Sequence, residues 1–251
     1  MSCRPLDLAW LVLVMASTAV AGGSDHALFS DILSDHVRNG LVDYRALGAD
    51  RRLDAYLGML GGTDPASITD DRERLAFWIN AYNAFTFRLI ILHMPVESIR
   101  DISLDGKGAW DIPFIEIAGR RYTLNQIEHE IIRREFREPR IHMALVCAAL
   151  GCPPLRSEAY RGADLERQLE DNTRRFMVDA TKNHYDSSTG TLALSEIFSW
   201  FGDDFGETYG SVERFARQFY PVGEGRELTL RFLPYDWSLN ARSAEGGGSS
   251  R

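Results

Sequence analysis

The chain has 251 residues, with 36 Asp and Glu against 28 Lys and Arg, for a net charge of −8. No block of Lys and Arg stands out, which argues against nucleic acid as a partner. Three cysteines are too few for a disulfide scaffold, and the about 230 residues left once a leader is removed suffice for one domain with a substantial core.

Leu8 to Ala21 (LAWLVLVMASTAVA) is an apolar run led by Arg4 and closed by small residues. Its roughly 14 residues fall short of the about 20 that span a bilayer, and Ala19-Val20-Ala21 fits a small-x-small cleavage pattern. Residues 1–21 therefore read as a signal peptide, and the protein as exported, periplasmic or extracellular, with no membrane span after cleavage. Cys3 precedes the run and leaves with it, so Cys147 and Cys152 remain. Residues 25–240 read as one domain, and 241–251 (ARSAEGGGSSR) have the composition of a disordered tail.

Apolar positions at three- and four-residue spacing predict helices at about 25–38, 50–60, 71–93, 123–135, 158–181 and 211–220. Asp71 can cap the third and Thr123 the fourth, and Pro95 ends the third. Strands are expected at Phe114–Ile117 and Arg120–Tyr122 around Ala118-Gly119, at Ile141–Val146, and at Thr191–Leu194. A last strand falls in "LTLRFLPYDW", with Leu228, Leu230 and Phe232 on one side. The sum is a helix-rich α+β domain with a small, mostly antiparallel sheet.

In "FWINAYNAF" the helix is apolar nearly all round, so Asn80 and Asn83, three apart, share a buried face and must find partners. They either fix the fold by bonding backbone or bind substrate. In "TLNQIEHEIIRR", a wheel at about 100° per residue with Leu124 at the origin puts Glu128 inside the apolar stripe and His129 on its flank. A carboxylate there needs a partner reached through the core, a core Arg on the simplest reading.

Cys147 follows the apolar run "IHMALV" and precedes a Gly-Cys-Pro-Pro turn. It is either a small buried hydrophobe or a nucleophile, and a nucleophile needs a base to supply thiolate. His142, five residues earlier, would lie about 16 Å away on the opposite face of a regular strand, so it serves only if the strand breaks. That favours His129. Cys147 and Cys152 can also close a small disulfide. A zinc site lacks a second cysteine pair, and His26, His36, His93 and His184 are scattered, so neither metal nor cofactor is expected. Trp200, Phe201, Asp236 and Trp237 read as core and helix-end contacts, and the adjacent Asp203 and Asp204 as at most a weak cation site.

The ordered motifs "FWINAYNA", "TLNQIEHEIIR", "RIHMALVCAALGCPPL", "LSEIFSWFGDDF" and "YDWSLN" resemble the DUF547 family from about Val42 to Asn240. The resemblance implies an α+β fold similar to papain-like or transglutaminase-like cysteine enzymes, with a Cys, His and acid site. It matches Glu128 and His129 to the family's Glu-His pair and Cys147 to its cysteine. His142 also matches a family position, and Cys152 a position that some relatives fill with Ser. In papain-like enzymes the cysteine precedes its histidine, whereas His129 comes first here, so any likeness requires a rearranged topology or a convergent site.

Two functions follow as expectations. The first is an exported thiol-dependent hydrolase or acyltransferase acting on a peptide or amide bond. Cys147 attacks, His129 (or His142) moves the proton, and Glu128 orients an imidazole, although adjacent helix residues diverge too far for Glu128 to orient His129. The second is a non-catalytic envelope domain that binds a peptide or partner protein. A disulfide-handling role is weaker, because C-x4-C is not the C-x-x-C spacing that tunes such thiols.

Overall fold

A computed structural model describes residues 26–223 and 227–242. The expected signal peptide, and the tail from Ser243 onward, lie outside the described residues. The Asp71–His93 helix is the axis of the domain. Its cap is Asp70, one residue ahead of the expected Asp71, accepting from the N–H groups of Arg72 and Glu73. Fifteen of its twenty-three residues are buried, among them Phe77, Trp78, Tyr82, Phe85 and Phe87. Each such side chain contributes about 1.5–3 kcal/mol on burial. The helix is long and apolar enough to cross a membrane, but most of it is buried within the domain. It stops at His93, and Met94, before Pro95, is extended.

The Ala27–His36 and Arg51–Gly62 helices join it in the larger of two apolar clusters, where Phe29 stacks on Tyr56 with ring centroids 4.6 Å apart. The smaller cluster gathers Phe176, Leu192, Leu194, Phe198, Phe205 and Phe215. Tyr235 packs against both.

Strand pairing is mostly antiparallel and comes in four small sheets among the described residues. The expected hairpin Ile115–Ile117/Arg120–Tyr122 turns on Ala118 and Gly119, both at positive φ. Two further hairpins turn on Asn39-Gly40 and Asp105-Gly106, dipeptides that favour such turns but join strands too short to show periodicity. In the fourth sheet, His184–Asp186 pairs antiparallel with Thr191–Ser195, and Thr229–Leu233 pairs parallel with the same strand.

Two expected elements differ. Ile141–Val146 is not a strand: Pro139–Met143 forms a 3-10 helix, and the chain then runs irregularly. The run is buried throughout, so it carries no periodicity that separates strand from helix. The helix expected from 158 begins at Leu165 and ends at Met177. Its missing first turn is engaged elsewhere, with Ala159 N–H on Ser30 Oγ and Tyr160 N–H on Asn80 Oδ1. Ala241 and Arg242, placed in the tail by composition, are held to Val42: Ala241 forms a bridge and the Arg242 N–H bonds its carbonyl at 2.7 Å.

Candidate functional site: a thiol cleft

Asn80 and Asn83 do scaffolding work. Asn80 bonds both polar groups of the Tyr160 backbone, at 2.7 and 2.9 Å. Asn83 donates to the Ala144 carbonyl at 3.0 Å and accepts from the Val146 N–H at 2.9 Å. Both amides bond backbone, as the fold-fixing alternative expects, and neither is among the residues that line the cleft. The Asn83 clamp takes the groups a strand would pair and delivers the chain to Cys147.

After Cys147 the chain reverses through Ala148–Gly151, with Ala148 at φ +63°. This turn is tied to the 236–240 segment: Leu150 N–H bonds the Ser238 carbonyl, Gly151 N–H bonds the Asp236 carbonyl, and Asn240 N–H bonds the Ala148 carbonyl, at 2.8–2.9 Å. Gly151 is required, since a Cβ there would sit 2.9 Å from the Asp236 nitrogen and the Tyr235 ring. The reversal brings the sulfurs of Cys147 and Cys152 to 3.1 Å, both as free thiols. Cys152 Sγ also accepts from the Cys147 N–H at 3.2 Å and the Tyr235 hydroxyl at 3.0 Å. Burial pushes the Cys152 thiol up, but hydrogen bonds from the Cys147 thiol, the Tyr235 hydroxyl and backbone N–H groups outweigh it and bring it down to about 7. Cys147, donating to Cys152 and desolvated, is raised. Ionisation is thus favoured at Cys152 over Cys147.

Glu128 and His129 lie on a helix that Thr123 opens with a reciprocal capping box, Gln126 N–H to Thr123 Oγ1 and Thr123 N–H to Gln126 Oε1. Gln126–Ile132 is π-helical, with the Arg133 N–H reaching the Glu128 carbonyl. The wider turn draws neighbouring side chains together, and both Glu128 and His129 face the cleft. Glu128 is buried as expected, but its partner is the Tyr82 hydroxyl rather than a core Arg, and Tyr82 in turn is hydrogen-bonded by Trp110. Burial raises the Glu128 carboxyl from 4.5 to about 7, with Tyr82 offsetting part of the rise.

The acid that orients an imidazole is Asp204. His142 Nε2 lies 2.7 Å from Asp204 Oδ2, and Arg133 grips the same carboxylate with two bonds of 2.8 Å. Burial would raise the Asp204 carboxyl, but the His142 and Arg133 bonds win and hold it well below the usual carboxylate range. Burial pushes His142 down to about 4, against the pull of Asp204, and its ring stacks on Phe201 at 3.8 Å. His129 is lowered by burial and then by Arg133, whose Nη1 lies 3.1 Å from His129 Nδ1.

These partners fix the tautomers. Arg133 only donates, so neutral His129 accepts at Nδ1 and carries its hydrogen on Nε2. Ionised Asp204 only accepts, so neutral His142 carries its hydrogen on Nε2 and keeps the Nδ1 lone pair. On these assignments His129 presents an N–H at Nε2, and His142 keeps a lone pair at Nδ1. The objection to His142 rested on a strand that the 3-10 helix replaces. Among the described residues no hydrogen bond joins either sulfur to an imidazole; Cys147 Sγ meets Cys152 and, at 3.6 Å, the Tyr235 hydroxyl.

These groups line a cavity of about 240 Å³, walled further by Trp110, Leu145, Ile197, Trp200, Phe201, Tyr235 and Trp237. Trp200 stacks on Trp237 at 5.7 Å and is 43 % exposed at the mouth. The aromatics read from sequence as core contacts are therefore cleft walls. Among the described residues no cluster of three or more His, Cys, Asp or Glu side chains is arranged to hold a metal ion.

No curated protein and no solved structure matches the chain. One family model does, a narrower match than the motif resemblance, taking in Glu128, His129, His142, Cys147 and Cys152 but not Asp204, Trp200 or Tyr235. Residues 65–177 match the model of the DUF547 family, described as a protein of unknown function.

Proposed function

We propose that the protein is an exported thiol-dependent hydrolase or acyltransferase acting on a peptide or amide bond. The observation that carries this reading is the meeting, in one cleft, of Cys147 with an imidazole whose far nitrogen is fixed by a carboxylate, His142–Asp204. Cys147 attacks the carbonyl carbon and gives up its proton to His142 Nδ1, and Asp204 stabilises the imidazolium. The imidazolium then protonates the leaving amine, and water or an acceptor amine releases the acyl group from Cys147. His129, with hydrogen on Nε2, suits the role of donor to the oxyanion. The aromatic walls favour an apolar or ring-bearing group beside the scissile carbonyl. The apolar run Leu8–Ala21 supports export.

The test is covalent labelling with a peptidyl chloromethyl ketone, read by peptide-level mass spectrometry beside turnover of fluorogenic peptide amides. Labelling of Cys147 that falls at least tenfold in His142→Ala is the expected result. Labelling unchanged in both His142→Ala and His129→Ala, with no turnover, would sink the reading and leave a binding domain.

A further inference from the structure

Cys147 and Cys152 could not meet if the chain between them were extended. It is not: the Ala148–Gly151 turn is pinned by three backbone bonds to residues 236–240, and the two sulfurs stand 3.1 Å apart. A disulfide needs about 2.05 Å between its sulfurs, so closure asks for roughly 1 Å of approach between them. The two thiols are also unequal. Cys147 is half-buried on the cleft, whereas Cys152 is buried beneath it with the Tyr235 hydroxyl and the Cys147 N–H aimed at its sulfur. That is the division of labour of a dithiol exchanger, with one sulfur that meets the substrate and one behind it that resolves the mixed disulfide.

We propose that Cys147 and Cys152 form a redox-active dithiol that exchanges with peptide or small-molecule disulfides entering the cleft. The reacting form of the pair is the singly ionised one, with one proton for its two sulfurs. That proton moves from Cys147 to Cys152, the Cys147 thiolate attacks one sulfur of RSSR, and the S–S bond breaks to release RS⁻. Cys152 then passes its proton to the departing thiolate and attacks Cys147 Sγ, expelling the second RS⁻. The protein loses two electrons and the disulfide gains them; the products are the Cys147–Cys152 disulfide, one RSH and one RS⁻. This chemistry does not rest on amide cleavage. If both hold, the disulfide switches the amide chemistry off, because it consumes Cys147.

The experiment uses the purified full chain, oxidised glutathione as the disulfide, an acid quench, and peptide-level mass spectrometry after alkylation, so that Cys3 is read apart. In wild type the peptide spanning both cysteines should lose two hydrogens and escape alkylation. Cys152→Ser should stop at Cys147 carrying one glutathionyl group, and Cys147→Ser should leave Cys152 unmodified, being buried. Wild-type protein that accumulates the mixed disulfide at Cys147, or that stays reduced while urea-unfolded protein reacts, overturns the proposal. Should a serine variant fail to fold, titrating wild type against mixtures of reduced and oxidised glutathione decides alone. A single transition to the internal disulfide supports the pair, and a glutathionyl adduct at every ratio refutes it. Loss of amide turnover or of chloromethyl ketone labelling leaves these masses unchanged, so the two readings fail separately.

Discussion

His142 and Asp204, sixty-two positions apart in sequence, are joined by a 2.7 Å bond that sets which nitrogen of the imidazole is free. Asn at 204 would offer its NH₂ to Nε2, force the hydrogen onto Nδ1 and remove the base. Asp204→Asn should therefore slow Cys147 labelling by about 10²–10⁴, the worth of a general base, while destabilising the fold by about 1–3 kcal/mol. Labelling rates beside urea denaturation curves separate the two effects.

Protonation of His142 should weaken the fold. Its folded value is about 4 against 6.5 for an ordinary histidine, so between these limits the unfolded chain binds the extra proton. Its contribution is intact above pH 6.5 and is lost as pH falls toward 4. His142→Phe should flatten that part of the stability-against-pH curve, followed by urea denaturation at several pH values.

Glu128 works in the opposite direction. Its carboxyl is raised from 4.5 to about 7, so the folded chain keeps a proton that the unfolded chain gives up, and stability falls as pH rises across that window. Glu128→Gln keeps an acceptor for Tyr82 and removes the ionisation. Relative to wild type it should gain stability with rising pH, reaching about 3 kcal/mol above pH 7. A variant whose advantage is the same at pH 4.5 and pH 8 would contradict the assignment.

Tyr235→Phe removes one donor to Cys152 Sγ and leaves the ring in place. The thiolate of the pair should then form at higher pH, moving from about 7 toward the about 8.5 of an ordinary thiol. Iodoacetamide reactivity against pH reads the shift directly.

Asn83→Ala leaves the Ala144 carbonyl and Val146 N–H without their buried partner. A cost of about 2–4 kcal/mol is expected, together with faster hydrogen exchange at Val146. Asn80→Ala should cost a similar amount but spare Val146, since its amide serves Tyr160.

Much of the framework is written locally. The all-round apolar pattern of residues 71–93, the Ala118-Gly119 turn and the Thr123 cap are each decided by a few neighbours, and the buried place of Glu128 follows from its helix alone. The cysteine approach is not local, because Ile141–Val146 is uniformly apolar and its shape is imposed by Asn83 from another helix. Asp204 was equally hidden: beside Asp203 it looks like a surface acid, and only the packing of Phe201 and Phe205 turns it onto His142. The parallel pairing of Thr229–Leu233 likewise joins segments whose separation no periodicity records.

The backbone bonds between Ala148–Gly151 and residues 236–240 also bear on the order in which the protein is made. Cys147 and Cys152 leave the ribosome well before the segment that positions them, and a domain folds largely as a unit. The turn that pairs the two sulfurs therefore lacks its backbone partners until Asp236–Asn240 emerges. A shortened version stopping at Met177 would keep every candidate nucleophile and imidazole and still lack the strap that aligns them.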